Sequence, residues 1–581
     1  MKTRLNYSSK LYFIFLMCIA LICKAEIQIK ITGIDNKELK NSIFFQLSNN
    51  LNLTNITINN FYKKRIENLV KECLHFFGYY TPTIFTFFNK EENIITLHIT
   101  IGKPTIIVGI QVVIYGEAKN DIDFQNIIKK TQSNHLGKKI NHREYENFKN
   151  DLLNLAIQKG YLDSVFKKHQ LSVFPNYSQA YWDIIFDSGK RYCFNKLNFS
   201  GSQIREDYLK NIYKIQEGDP YNVKILADLN HRLISTDWFS SVRIEPNMTK
   251  DKEEKILTLN TILIPNTTNN IETGVGYTTG TGPEIKLIWN KPWINSRGYR
   301  FDSDFSIAED NQKANLALKI PLFESPLEKF YLIKSRFNRQ NINNVPSYLI
   351  NLDISRYWNI VDRDSWKKAI NLRCSFHYQP NIKKTTILIY PGIYISRIRQ
   401  KGDIIPIWGD SQRYLVDVSY SIWSSDVNFF VFQAQNTWIR TIAKKNRFII
   451  RTNFGWIGSD NFKYVPFSLR FFAGGEYSIR GYKYNVIYPK DSEGKCTGAS
   501  RLAIGSIEYQ YNFFDKCWFT IFIDGGEATN KFRNINYKIG IGSGLRWITP
   551  IGPIKLDCAN KFTKLRIKKG LQFHFGLGSE L

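Results

Sequence analysis

From about Asn269 to Leu581 the sequence runs through short segments that alternate apolar and polar residues, each bounded by turn-forming residues. Examples are YRFDSDFSI (Tyr299 to Ile307), RFIIRTNFGWI (Arg447 to Ile457) and LQFHFGL (Leu571 to Leu577). A period of two makes strands with one apolar and one polar face. A soluble sandwich also alternates. Here, however, about 310 residues of meander rich in Phe, Tyr and Trp carry no helical pattern that could cover a sheet, which predicts an antiparallel transmembrane β-barrel. No segment after the N-terminal leader has the run of about 18 apolar residues that a membrane helix needs. A bilayer crossing must then be a closed sheet, because only helices and closed sheets satisfy their backbone in lipid. At roughly 20 residues per strand and connection, the segment holds about 16 strands.

The leader fixes the compartment. Lys2, Arg4 and Lys10 precede an apolar run from Leu11 to Cys23, and Cys23-Lys24-Ala25 gives small residues at a cleavage site after Ala25. This predicts a secretory signal peptide over 1–25. Its four cations leave with it, so the formal charge falls from +28 to +24. In an exported chain with no compact basic motif interleaved with aromatics, that charge does not indicate nucleic acid; it suits anionic lipid headgroups. Six cysteines remain, scattered without metal-ligand spacing. Only Cys496 and Cys517 lie in one neighbourhood of the sequence; an oxidising compartment permits a bridge there, but the sequence favours leaving both unpaired.

Residues 26–265 mix helical and strand patterns and repeat at roughly 80 residues. KKRIENLVKECLHFFGYY (Lys63 to Tyr80) reads as an amphipathic helix stopped by Gly78, HREYENFKNDLLNLAIQKGYL (His142 to Leu162) as another stopped by Gly160, and Asn222 to Phe239 as a third. Strand-like runs follow each one. The predicted organisation is three β-α-α-β-β modules at 26–102, 103–188 and 189–265, then a barrel at 266–581.

Within the barrel, GGEYSIRGYKY (474–484) invites a phosphate-binding reading, but no helix follows and Pro489 and Gly494 interrupt the segment. It is read instead as a loop between late strands, with Val465 to Phe472 the strand before it. An arginine is costly on the lipid face and tolerated in the lumen, so Arg480 is expected to point inward. FTIFID (Phe519 to Asp524) offers it partners. Phe522 and Asp524 share one face of that strand, and Ile521 and Ile523 share the other. Arg480 is therefore expected to stack on Phe522 and pair with Asp524.

These features resemble the superfamily of barrel-assembly and two-partner-secretion proteins, whose N-terminal modules are called POTRA domains. The likeness lies in RFFAGGEYSIRGYKY (470–484), SIEYQYN (506–512), GSGLRWITPIGPIKLD (542–557) and GLQFHFGLGSEL (570–581). Within the superfamily it is nearest to the TamA family, outer-membrane subunits of the translocation and assembly module.

The resemblance implies that Gly474, Gly475, Arg480, Gly481 and Tyr482 form an inward-folded loop locked against Phe522 and Asp524. It implies a weak lateral seam between a first strand carrying Ile271, Gly274 and Gly276 and a last one carrying Gly570, Leu571, Phe573, Phe575 and Gly576. It also implies outer-membrane protein clients such as autotransporters, and a TamB-like inner-membrane-anchored partner. The chain lacks a terminal aromatic after Gly578, so Phe573 and Phe575 are expected to carry its own insertion signal. The alternatives are a two-partner-type secretion pore, disfavoured by three modules and by the want of a plugging helix, and a main barrel-assembly protein, which would carry five modules. An enzyme is not indicated, since no His assembles with Ser or Asp into a catalytic motif. No metal or cofactor is called for. His142 is read as a solvated helix residue and His574 as facing the lumen.

Overall fold

The computed structural model describes residues 28–51, 60–89, 94–248, 255–278, 282–342, 345–358, 366–380, 384–402, 406–514, 516–531, 537–549, 552–563, 566–567 and 570–577. The predicted signal peptide over 1–25 and residues 578–581 lie outside them. The chain forms two compact units, one of residues 1–196, 216–226 and 247–258, the other of 197–215, 227–246 and 259–581.

Three successive segments have the order strand, helix, helix, strand, strand. In the first, Gln28–Thr32 lies parallel to Ile94–Thr100, which pairs antiparallel with Thr83–Asn89. Helices Lys37–Asn50 and Asn60–Phe76 bury Leu39, Ile43, Leu47, Ile66, Val70 and Leu74 toward that sheet. Asn36 caps the first helix by accepting from the backbone N–H groups of Glu38 and Leu39. The second segment repeats this with Ile106–Tyr115, Ile122–His135, His142–Lys159, Val165–Phe174 and Gln179–Asp187, around Phe124, Phe148, Trp182 and Phe186. Gly160 ends its second helix in the left-handed region at φ 92°. The third uses Cys193–Ser200, Glu206–Lys210, Val223–Ile234, Phe239–Met248 and Ile256–Pro265. In all three sheets the last strand in sequence lies in the middle, so each outer strand has an edge that no other strand covers, although in the second and third segments the start of the first strand bonds to the chain at 137–140 and 218–220.

His142 is not a solvated helix residue. The Tyr80 hydroxyl lies 2.5 Å from its Nε2, and the Tyr80 ring stacks on His75 at 4.9 Å, at the joint between the first two segments. Burial, reinforced by the neighbouring His75, lowers the proton affinity of His142 below the usual imidazole value of 6.5. The unfolded joint therefore takes up a proton first as pH falls. The stability that neutral His142 lends is intact above about pH 6.5 and is lost as pH drops from there through its lowered folded value. Amide exchange of residues 75–80, corrected for intrinsic rates, is expected to accelerate between pH 7.5 and 5.5 in the full chain, and less so in His142→Phe. Equal pH dependence in both proteins would contradict this origin.

The remaining strands form one antiparallel meander of 17 stretches among the described residues, from Asn270–Thr278 to Gln572–Leu577. Both Arg566–Ile567 and Gln572–Leu577 pair with Gly552–Thr563, so they are two pieces of one strand and the barrel has 16. Alternation gives it an apolar outer wall and a polar lumen. In Cys517–Thr529, Ile521 and Ile523 are exposed while Phe522 and Asp524 are buried. Strand length varies around the wall, from 9 residues in Asn270–Thr278 and Arg300–Ala308 to 18 in Lys384–Lys401.

Val465 to Phe472 is not a strand. Strand Asn446–Gly458 ends first, and the apolar residues after it enter a long loop with a 3-10 turn at Phe467–Leu469. Their alternation reflects burial inside the lumen, where Val465, Phe471, Ala473, Ile479 and Ile487 pack against wall residues such as Tyr390, Val431 and Leu502. No disulfide joins Cys496 to Cys517. The first lies in this loop and the second opens a strand at the opposite end of the barrel.

Candidate functional site: the loop tip and the barrel seam

The loop emerges between strands Asn446–Gly458 and Arg501–Phe514, at the end of the barrel remote from the chain's entry, and turns back inside. Arg470 braces its base. Its guanidinium donates to the carbonyls of Val465 at 2.9 and 2.8 Å, Lys463 at 2.8 Å and Thr497 at 2.6 Å. At the tip, Gly474 and Gly475 hold φ of 109° and 102°, conformations that L side chains rarely adopt. This lets the Gly475 N–H reach the carbonyls of Ile479 and Tyr482 while the Gly474 N–H donates to Ser478 Oγ at 2.9 Å.

This tight turn delivers Arg480, 1% exposed, to the wall. Its Nε and Nη2 donate to the two oxygens of Asp524 at 2.7 and 2.9 Å, and its backbone N–H donates to the same carboxylate at 3.0 Å. The guanidinium carbon lies 3.3 Å from the centroid of Phe522. The sequence singled out both partners, and both are in contact.

Sequence reasoning missed the rest of the cluster. Arg480 Nη1 also donates to Glu508 at 2.7 Å and Asp557 at 3.1 Å. Arg546 bridges the same two carboxylates at 2.9 and 2.5 Å, and Arg451 reaches Glu508 at 3.1 Å. Three guanidinium groups thus face three carboxylates in the lumen, with only Arg451 more than 3% exposed. Such a network holds only while every member is matched, since a single uncompensated buried charge costs several kcal/mol. Glu508, Asp557 and Arg546 all sit in motifs visible in the sequence, but nothing local says that these three strands turn the residues toward one point.

Strand Lys538–Thr549 makes room for the tip by presenting Gly540, Gly542 and Gly544 at alternate positions. A Cβ on Gly540 would lie 1.7 Å from the Arg480 carbonyl oxygen, one on Gly542 2.5 Å from the Phe522 ring, and one on Gly544 2.0 Å from Asp557 Oδ1. Gly540 thus clears the seat of the loop itself, while Gly542 and Gly544 clear the space of its wall partners Phe522 and Asp557. Tyr482 is buried beside Lys561, whose Nζ lies 5.1 Å from the ring centroid. The Gly481 N–H donates to His574 Nε2 at 3.2 Å, so His574 does face the lumen and ties the tip to the last strand.

Among the described residues no backbone pairing closes the sheet. Asn270–Thr278 bonds to Gly282–Lys291 and Gln572–Leu577 to Gly552–Thr563, while the two terminal strands approach within 8 Å between Cα atoms. Ile271, Leu571 and Phe573 are exposed on these strands, and Phe575 is half-buried opposite Leu556. Gly274 and Gly276 have open space where a side chain would go, as does Gly570, whose φ is 143°. Gly576 is overlain by loop residue Glu476, 2.1 Å from where its Cβ would be.

Comparison with known proteins agrees with this architecture. Residues 267–581 match the Omp85 superfamily domain, and residues 192–261 match a POTRA domain, described as a surface antigen variable number repeat. The outer membrane protein assembly factor BamA of Nitratidesulfovibrio vulgaris is 33% identical over 98 residues, a stretch that makes up 16% of this chain and 12% of that protein. The crystal structure of BamA from Haemophilus ducreyi lacking POTRA domains 1–3 superposes with a TM-score of 0.57 at 15% identity, covering 95% of this chain and 99% of that one. CdiB from Acinetobacter baumannii covers 94% of this chain and 99% of its own at 16% identity, with a TM-score of 0.44. With more than half its length matched by the family domain and a 16-strand barrel behind POTRA modules, the chain belongs to the Omp85 superfamily.

Proposed function

We propose that this protein is a non-enzymatic outer-membrane assembly factor of the TamA type, which promotes insertion of client barrels, autotransporters among them, with a TamB-like periplasmic partner. The observation that carries the reading is the seam: two terminal strands that lie near one another without backbone bonds. An unpaired strand edge is a template for another strand. The first three strands on one side of the seam are only 9 or 10 residues long, so the apolar wall is low on that side. A low wall thins the adjoining bilayer and reduces the cost of bringing polar strand ends through it. The unpaired outer strands of the periplasmic modules offer further edges on which an unfolded client or a partner segment can add. The apolar cluster between loop and wall occupies lumen volume that an open secretion conduit would need clear.

The test is the folding rate of an autotransporter barrel into liposomes holding the mature protein, with cysteine pairs scanned between residues 272–276 and 572–575 and the native cysteines replaced. Acceleration over empty liposomes in the reduced state that disappears on oxidation is the expected result. Equal acceleration with the seam cross-linked would sink the lateral route. No acceleration at all, in a protein that conducts ions, would favour the pore.

A further inference from the structure

On the wall remote from the seam, the outer face carries a cluster of cations that assembly does not use. Directly opposed residues in an antiparallel sheet share a face. Lys401 pairs with Trp408, Trp408 with Arg440, and Arg440 with the exposed Phe448; Arg399 pairs with Asp410, Asp410 with Trp438, and Trp438 with the exposed Ile450. These residues therefore face outward with the apolar surface.

They also gather around one ring. The charged groups of Arg440, Arg399 and Lys401 lie 4.6, 5.0 and 5.7 Å from the Trp408 centroid, and Arg397 lies 5.4 Å from that of Trp366. Asp410 is the one carboxylate in this group, bonded to Arg399 and, at 2.7 Å, to Arg440. The four cations thus outweigh it by three. The Nε atoms of Arg397 and Arg399 are buried and make no hydrogen bond within the protein.

The height of the cluster is set by topology. The modules are periplasmic, so the end at which the chain enters the barrel is the periplasmic end. Lys384–Lys401 runs down to that end and Trp408–Ser419 climbs from it. Ile393 and Ile395 continue the outer face toward the bilayer centre, so the cations lie just below the apolar band, at headgroup depth. An ordinary interfacial belt would encircle the barrel. Among the described strand residues near the loop-tip site, the same depth presents Tyr509, Tyr511, Phe519 and Trp547 and no cation, while toward the first strands it carries Arg356 over Tyr331 and Trp358.

We infer that Arg397, Arg399, Lys401 and Arg440, seated on Trp408 and Trp366, form a binding site for the phosphate of an anionic phospholipid in the periplasmic leaflet. Guanidinium groups match phosphate oxygens in a bidentate fork, which three arginines and a lysine around one carboxylate can supply. The indole rings hold the cations in place at the interface. A lipid held there would anchor the tall wall and leave the low wall at the seam free to deform its bilayer.

The experiment is native mass spectrometry of the full mature protein in detergent, titrated with phosphatidylglycerol or phosphatidylcholine, with and without millimolar inorganic phosphate. The wild type is expected to retain phosphatidylglycerol with roughly tenfold preference, unaffected by phosphate. Arg397→Gln/Arg399→Gln/Arg440→Gln combined with Asp410→Asn, which leaves no stranded carboxylate, is expected to lose the preference while keeping heat-modifiable barrel migration. Should that variant fail to fold, Lys401→Gln/Arg397→Gln, which leaves Asp410 paired, is expected to lower the preference several-fold. No preference in the wild type, an undiminished preference in a folded variant, or displacement by inorganic phosphate, which would mark a free-anion site, each overturns the proposal.

Discussion

Replacing Arg480 with alanine is expected to release the loop from the lumen. The substitution leaves Glu508, Asp524 and Asp557 facing only Arg546 and Arg451, with Asp524 losing both of its guanidinium bonds. Breaking a buried ion network from one side costs about 3–5 kcal/mol. That cost falls on docking of the loop more than on the strand ladders, which stay paired. Trypsin is expected to cut Arg480→Ala after Lys483, Lys490 or Lys495 under conditions where the wild type resists, while the barrel still migrates as a folded species. Adding Asp524→Asn to Arg480→Ala removes one stranded charge and is expected to recover part of the lost resistance. Client folding should not recover with it, because the tip remains untethered to the wall. Arg480→Lys tests geometry separately from charge: one ammonium cannot span both oxygens of Asp524 and also reach Glu508 and Asp557, so it is expected to fall between the other two. Unchanged resistance in Arg480→Ala would show that the apolar contacts of Ile479 and Ile487 hold the loop by themselves.

What the sequence disclosed follows from which interactions are local. The alternation of FTIFID is a property of consecutive residues, so the shared face of Phe522 and Asp524 could be read directly, and one inward arginine then had an evident partner. Glu508, Arg546 and Asp557 alternate in the same way, as do many lumen residues on other strands. Their convergence depends on the register between strands, Arg546 meeting residues 11 and 38 positions away, which no local pattern encodes. The misread strand at Val465 to Phe472 shows the converse. Apolar residues meant for a small core inside the lumen resemble a lipid-facing strand, because burial against protein and exposure to lipid select the same side chains. The module pattern was legible because helix periodicity and its glycine stops are local, whereas the Tyr80–His142 contact at the joint, formed between residues 62 apart, was not.

The glycine track on Lys538–Thr549 separates the role of the loop's position from that of its charge. At Gly540 the obstacle to a side chain is the Arg480 carbonyl itself, 1.7 Å from the Cβ site, with the carbonyl carbon at 2.9 Å. Backbone atoms cannot rotate aside as a flexible side chain would, so Gly540→Val must push the whole tip off the wall. In doing so it breaks every Arg480 contact with the arginine still present. The strand should tolerate the change, since valine suits a pleated strand better than glycine does. Gly505 on strand Arg501–Phe514 supplies the control, having no atom within 4 Å of its Cβ site. Gly540→Val is therefore expected to reproduce the protease sensitivity and assembly loss of Arg480→Ala, and Gly505→Val to behave as wild type or slightly more stably. If Gly540→Val keeps a protected loop and full client folding, the tip has another seat in the lumen and the register of Arg480 against Asp524 is not what sustains activity. If it loses assembly with all six charged residues of the network still present, occupation of the track controls the seam, and the charges serve to hold the loop in it.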